Sequence, residues 1–140
     1  MRALNRWESI GVILSSVGVV DSAYLTINAF FPALKLACPT TGVINCEGVT
    51  GSPYSHLLGV IPVALLALLW FGLVIILIGQ RPSGFAFAMI ISWAAALVMV
   101  GYLVSVEVFI LHEVCLYCTL AHVCAMLLGA PILKLALREI

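Results

Sequence analysis

The fold is decided by the stretch Leu57-Leu-Gly-Val-Ile-Pro-Val-Ala-Leu-Leu-Ala-Leu-Leu-Trp-Phe-Gly-Leu-Val-Ile-Ile-Leu-Ile-Gly79, which contains no charged side chain. The ~30 Å hydrocarbon core of a bilayer is crossed by about 20 helical residues, so this stretch is long enough to span it. Because no water reaches the backbone in lipid, a spanning segment must satisfy its own hydrogen bonds, which predicts a transmembrane helix.

The rest of the chain has the same apolar character. Of its 140 residues, 64% are hydrophobic and 9% are charged, whereas about 25% of the residues of a soluble domain are charged. A soluble enzyme is therefore excluded, and the formal net charge of zero gives no indication of a nucleic-acid partner. We predict an all-α membrane protein, a single domain over residues 1–140 that forms a four-helix transmembrane bundle, with spans at about residues 10–31, 57–79, 84–106 and 115–135.

Basic residues predict the orientation of the bundle, because Lys and Arg are enriched on the cytoplasmic side of membrane proteins. When the chain crosses four times, Lys35 falls on one side. The other five basic residues fall on the opposite side: Arg2, Arg6, Arg81, Lys134 and Arg138. We therefore predict a multi-pass protein of the plasma or inner membrane with both termini in the cytoplasm.

Two connections are predicted to lie outside the cytoplasm, at residues 32–56 and 107–114. The longer one is rich in Gly, Pro, Ser and Thr, which is typical of turns. Its end, residues 49–57, is predicted to form a half-helix on the membrane surface. The loop and this half-helix form the predicted extracytoplasmic cap.

Four of the five cysteines lie on the predicted outer side, where disulfides persist. Cys38 and Cys46 lie in the long connection, and Cys115 and Cys118 form a Cys-Leu-Tyr-Cys motif at the start of the fourth span. A helix N-terminus favours the thiolate, which is the species that attacks disulfides. This pattern favours a redox centre. Structural disulfides and half of a metal site are the alternatives, although the eight-residue spacing is unlike that of a zinc knuckle, and we predict no bound metal.

Two cysteine pairs that face one compartment suggest a relay of electrons. The loop pair is accessible to soluble proteins, and the helix pair is accessible to molecules dissolved in lipid. Thiol–disulfide exchange moves two electrons between such pairs, and a membrane quinone is the lipid-soluble acceptor that fits. Cys124 lies about 13 Å deeper along the helix and is predicted to pack as a small apolar residue.

The order of these motifs resembles the vitamin K epoxide reductase family in its prokaryotic form. A first span is followed by the loop with Cys38 and Cys46, then by Ser52-Pro53-Tyr54-Ser55, which leads into Leu58-Gly59-Val60-Ile61-Pro62. Cys115-Leu116-Tyr117-Cys118 then opens the fourth span. The similarity covers essentially the whole chain.

The resemblance implies a role for each of four cysteines. Cys118 is expected to react with the quinone, such as menaquinone or ubiquinone, and Cys115 to exchange with Cys46. Cys38 is expected to exchange with a partner protein. Many prokaryotic members carry a fused thioredoxin-like domain, whereas this sequence stops at Ile140, so a thioredoxin-like (DsbA-like) partner is expected to act in trans.

The resemblance also implies three quinone-binding residues. His122 lies one helical turn after Cys118, where the family commonly has a hydrogen-bonding side chain. Ser55 is the nearest match to a second ligand at the start of the second span, and His56 is adjacent to it. A polar residue satisfied within the bundle is the alternative interpretation of His122.

Asp21 lies in the middle of the first span, and an acid inside the membrane is by default a functional hypothesis. Asp21, Tyr24 and Asn28 share one helix face and form a polar stripe. Asp21 is predicted either to handle protons for the quinone or to be a protonated acid that is hydrogen-bonded to a neighbouring helix.

The predicted function is thiol oxidation coupled to quinone reduction, in support of disulfide bond formation in exported proteins. Two alternatives stay open. One is a quinone or quinone-epoxide reductase that uses thiols only as an electron source. The other is a non-enzymatic membrane protein with structural disulfides.

Overall fold

The computed structural model describes residues 3–139 and consists mainly of helices. In chain order the elements are α1 (Arg6–Phe30), α2 (Cys46–Thr50), a 3-10 turn (Pro53–Ser55), β1 (His56–Leu57), β2 (Ile61–Pro62), α3 (Val63–Gln80), α4 (Phe85–Ser105), a π-helical turn (Val106–Leu111), α5 (Leu116–Leu127) and α6 (Gly129–Glu139). Within the described residues, four segments are long and apolar enough to cross a membrane: Arg6–Phe30, Val63–Gln80, Phe85–Leu111 and Leu116–Glu139. The predicted all-α fold class and four-helix transmembrane bundle are confirmed.

α1 is the central helix of the bundle. It packs along α3 and α5, and α4 packs along α6, whereas α3 and α4 touch each other over only a short stretch. At Gly18 of α1 the absent side chain allows close approach, because a Cβ there would lie 2.6 Å from ring atoms of Phe71 in α3. The weak contact between α3 and α4 leaves room for a cavity.

At the end of the bundle where α1 begins, charged side chains connect three of the helices. Asn5 and Glu8 form a capping box, in which Asn5 Oδ1 accepts the N–H of Glu8 and Glu8 Oε2 accepts the N–H of Asn5. Glu8 also pairs with Arg81, and Arg81 Nη1 lies 3.3 Å from Glu139 Oε1. These contacts join the start of α1, the α3–α4 turn and the end of α6. Arg2, which contributed to the predicted orientation, lies outside the described residues.

The second span begins later than the sequence predicts. α3 begins at Val63 rather than at residue 57, because residues 56–62 form a hairpin in which His56 pairs with Pro62. Its turn contains Leu58 and Gly59 at φ 55° and 73°, a left-handed conformation that a helix does not contain. The predicted half-helix at residues 49–57 is therefore wrong, since these residues contribute to α2, the 3-10 turn and β1.

The ends of the third and fourth spans also differ from the prediction. Residues 107–111, assigned to a connection, instead continue the third span as the π-helical turn, and Glu107 is buried there. The fourth span is divided at Leu128 into α5 and α6. Pro131 explains the division, because it supplies no N–H to the preceding turn.

Candidate active site

The loop pair forms a disulfide. The sulfur atoms of Cys38 and Cys46 are bonded, with a Cα–Cα distance of 6.1 Å. Cys46 is the first residue of α2 and is buried, whereas Cys38 is half-buried. The Asn45 side chain caps α2 by accepting the N–H of Gly48 at 2.9 Å. The pair therefore has one sulfur inside the protein and one near its surface.

Backbone pairing holds the loop against the start of α5. The N–H of Val114 donates to the Val43 carbonyl at 2.7 Å, and the N–H of Asn45 donates to the Val114 carbonyl at 3.0 Å. Cys46 Sγ then accepts the N–H of Leu116 at 3.3 Å. The inner sulfur of the loop disulfide thus lies at the N-terminus of the helix that carries the Cys-Leu-Tyr-Cys motif.

The cysteines of that motif are both free thiols. Cys115 is the N-cap of α5 and is fully buried, and its Sγ accepts the N–H of Cys118 at 3.2 Å. A hydrogen bond with the Cys118 side chain lowers the pKa of the Cys115 thiol below its usual value, although burial opposes this effect. The hydrogen bond therefore eases loss of the Cys115 proton, and the deprotonated form of a cysteine is the one that takes part in thiol–disulfide exchange.

A cavity of about 370 Å³ lies on the other side of the motif. Cys118 and His122 of α5 line it, and Ser55 lines it from the 3-10 turn. Its remaining walls are largely apolar and come mostly from α3 and α4, including Ala64, Ala67, Trp70, Ala95, Met99 and Leu103, with further residues from α1, α2 and the π-helical turn. Pockets for small organic ligands have this size and this mixture of apolar walls and few polar groups.

Two other predicted site residues do not line the cavity. His56 lies beside it and is connected to it through Ser55, whose Oγ is 2.9 Å from His56 Nδ1. Asp21 is buried in α1, and neither carboxyl oxygen has a hydrogen-bond partner among the described residues. The next residue, Ser22, does line the cavity. Cys124 is buried in the hydrophobic core.

Two tyrosines that were not predicted as site residues support the site. Tyr24 and Tyr117 stack edge to face at 5.1 Å. They hold the residue before Cys38, since Tyr24 Oη accepts the N–H of Ala37 at 2.9 Å and Tyr117 donates to its carbonyl at 2.7 Å. Tyr117 lies within the Cys-Leu-Tyr-Cys motif and Tyr24 lies on the helix face of Asp21, but nothing in the sequence indicates that the two rings meet, so only the tertiary structure could reveal this pair.

Two acids are also part of this end of the bundle. Glu113 Oε1 accepts a hydrogen bond from Asn45 Nδ2 at 3.2 Å, and a Cβ at Gly48 would collide with its carboxylate. Glu107 lines the cavity and accepts the N–H of Cys115. The sequence offered one indication that Glu107 has a role, because it is an acid directly after a predicted apolar span. Among the described residues, no group of three or more His, Cys, Asp or Glu side chains could hold a metal ion.

The fold and the site define the class of protein: a four-helix membrane protein with two cysteine pairs at one end of the bundle and an apolar cavity beside one of them. The model of the vitamin K epoxide reductase family matches residues 9–132, and the chain belongs to this family. Family membership identifies it as an integral membrane oxidoreductase of a family whose reactions involve quinones. Comparison with curated proteins gave no match.

Proposed function

We propose that the chain is a membrane thiol oxidase that passes electrons from a thioredoxin-like (DsbA-like) protein to a quinone, and so supports disulfide formation in exported proteins. The arrangement of sulfur atoms carries the proposal. Cys46 Sγ accepts the N–H of Leu116 in the Cys-Leu-Tyr-Cys motif, and Cys118 of the same motif borders the cavity. One cysteine pair therefore lies between the loop disulfide and the cavity.

The proposed path has two thiol–disulfide exchanges and one quinone reduction. A thiolate of the partner attacks Cys38, and the second partner thiol resolves the mixed disulfide, which leaves the loop pair reduced. Cys46 then attacks Cys115 of a Cys115–Cys118 disulfide, and Cys38 resolves this bond, so the loop disulfide forms again. Finally the Cys115–Cys118 disulfide forms again, and two electrons and two protons leave as the quinol.

The residues around the cavity fit a quinone. A quinone supplies a planar ring that accepts an electron pair, and the apolar walls match such a ring and its lipid-soluble substituents. The His122 and Ser55 side chains are proposed to bind its oxygens, and His56 to orient the Ser55 hydroxyl, to which it is 2.9 Å away. Holding a reactant against Cys118 in this way replaces an encounter in the bilayer by a reaction within one complex, which lowers the barrier.

Asp21 is proposed to handle protons at the inner edge of this site. Its carboxyl group is buried without a hydrogen-bond partner among the described residues, which costs stability, and an ionisable group kept inside the membrane at such a cost supports a functional role. The next residue, Ser22, lines the cavity, so its hydroxyl is proposed to connect Asp21 to the site. The orientation with cytoplasmic termini and outer cysteines is likewise a proposal, consistent with the cluster of Arg81 and Arg138 at the end opposite to the cysteines.

The proposal is tested by quinone consumption in proteoliposomes that contain the purified protein, a ubiquinone or menaquinone analogue and a reduced thioredoxin-like protein. We expect the partner to be oxidised as the quinone is reduced, in equal amounts. The family description favours one alternative, reduction of a quinone epoxide, so the epoxide is supplied in a parallel reaction. Turnover with the epoxide and none with the quinone would overturn the proposed acceptor.

Replacement of His122 should weaken quinone use specifically. In His122→Phe the cavity keeps an aromatic ring but loses the hydrogen bond to the quinone, so the KM for quinone should rise about 10-fold. Exchange between the partner and the loop disulfide should keep its rate, as measured by partner oxidation in a single turnover. Val123→Phe, which adds a ring to the exposed neighbour on α5, is the matched control. An equal loss in both reactions would indicate a folding defect and would contradict the assignment.

A further inference from the structure

Glu107 is a buried acid that the electron path above does not use. It is 5% exposed and is the second residue of the π-helical turn. Its Oε2 accepts the N–H of Cys115 at 3.4 Å, and its own carbonyl accepts the N–H of Glu113 at 3.0 Å. The turn therefore folds back on itself and fixes the carboxyl group against the start of α5.

The same side chain lines the cavity that Cys118 borders. Its carboxyl group thus lies between the N-cap cysteine of α5 and the proposed quinone site. Burial of a carboxylate is costly when few donors surround it. An amide or a hydroxyl could accept the N–H of Cys115 equally well, so the hydrogen bond alone does not explain an acid at this position.

The reaction requires protons to move through this region. When the dithiol reduces a quinone, two S–H bonds break, one S–S bond forms, one electron pair enters the quinone, and two O–H bonds form. The walls of the cavity are largely apolar, so they offer few groups that could transfer a proton. Besides Glu107, the titratable side chains around the site come from the neighbouring elements: Asp21 and Tyr24 on α1, Tyr54 and His56 at the 3-10 turn and β1, His112 and Glu113 before α5, Cys115 at its N-cap, and Tyr117, Cys118 and His122 on α5.

We propose that Glu107 is the proton carrier between Cys115 and the quinone, an inference that rests on the proposed function. As the Cys115 sulfur bonds to Cys118, its proton passes to the Glu107 carboxylate. Glu107 then donates this proton to a quinone oxygen and returns to the carboxylate, while the Cys118 thiol supplies the second proton. The carrier gains and loses one proton in each cycle.

Glu107→Gln separates proton transfer from hydrogen bonding. The amide has the size of the acid, and its oxygen still accepts the N–H of Cys115, but it cannot carry the proton. Quinone reduction should therefore slow by about 100-fold, the range of general acid–base catalysis, while exchange between the loop pair and the motif continues. The matched control is Glu47→Gln, which removes an exposed acid on α2 at the same end of the bundle and should keep the rate of the unmodified protein.

A second measurement needs no quinone. The hydrogen bond with Cys118 lowers the pKa of the Cys115 thiol, and the Glu107 charge is one of the smaller effects that oppose this lowering, because a carboxylate disfavours a nearby thiolate. In reduced Glu107→Gln the midpoint of Cys115 alkylation should therefore move to lower pH than in the unmodified protein. A proton carrier thus predicts a Cys115 that ionises more easily but a slower reduction of quinone, whereas a purely electrostatic role predicts that both become easier.

The outcomes separate the two proposals. If the unmodified protein reduces quinone and Glu107→Gln does so equally fast or faster, proton carriage by Glu107 is overturned while the proposed function stands. Glu107→Asp keeps a carboxyl group and should therefore recover part of the rate of quinone reduction. If Glu107→Asp is no faster than Glu107→Gln, proton carriage by Glu107 is also overturned. If the unmodified protein reduces no quinone, both proposals fail.

Discussion

Cys118→Ala should abolish quinone reduction. Cys118 is the cysteine of the motif that lines the cavity, so without its sulfur the electron pair cannot leave the protein. Because the variant lacks the reacting thiol itself, turnover should fall by at least about 1000-fold. The measurement is the loss of quinone absorbance in proteoliposomes supplied with a reduced thioredoxin-like partner.

Cys124→Ala is the matched control for this variant. Cys124 lies on the same helix, but it packs in the hydrophobic core with Leu128 and Ile132. Its replacement should cost some stability, because it removes a buried sulfur, but turnover should stay close to that of the unmodified protein. Normal turnover in Cys118→Ala would show that another thiol reacts with the quinone.

Cys38→Ala should stop the reaction at its first step. Without Cys38 the loop has no disulfide for the partner to attack, so partner-driven turnover should fall by about 100-fold or more. Cys46 becomes a free thiol whose sulfur still accepts the N–H of Leu116, next to Cys115. We expect it to attack the Cys115–Cys118 disulfide and to remain bonded to Cys115, because the thiol that would release it is missing.

The trapped bond is detected by mass spectrometry of non-reduced peptides, as a link between the peptides that contain Cys46 and Cys115. Cys46→Ala is the control, since it should lose partner-driven turnover without forming this link. Partner-driven turnover in Cys38→Ala at the normal rate would contradict the assigned order of the loop cysteines. A link between Cys46 and Cys118 would show that the wrong cysteine of the motif had been assigned to the exchange.

The spans were predictable because their signal is local. A run such as residues 63–79 is apolar throughout, and its length and hydropathy suffice to predict a membrane helix. The start of α3 was not predictable in the same way, since Leu57 and Leu58 are as apolar as the residues of the helix. Leu57 and Leu58 are kept out of α3 by the hairpin around Gly59, in which His56 pairs with Pro62. Pairing of this kind depends on the tertiary structure.

The cysteine positions were visible in the sequence, but their environment was not. The sequence placed the motif at the start of the fourth span, where the structure makes Cys115 the N-cap of α5, whereas the contact of Cys46 Sγ with Leu116 joins residues 70 positions apart. Glu107 was assigned to a connection because it follows an apolar run. The π-helical turn instead keeps it buried against Cys115, and no pattern in residues 106–111 predicts that turn.

The most direct test of the account is to count free thiols before and after quinone is added to the reduced protein in liposomes, with no partner present. Each cysteine is labelled with a mass tag and assigned by peptide mapping. If the cysteine pairs carry the electrons, one pair of thiols disappears for each quinone reduced, the Cys115–Cys118 and Cys38–Cys46 disulfides form, and Cys124 stays free. If all five cysteines can still be labelled after quinone is added, the cysteines do not transfer electrons to it and the account is wrong.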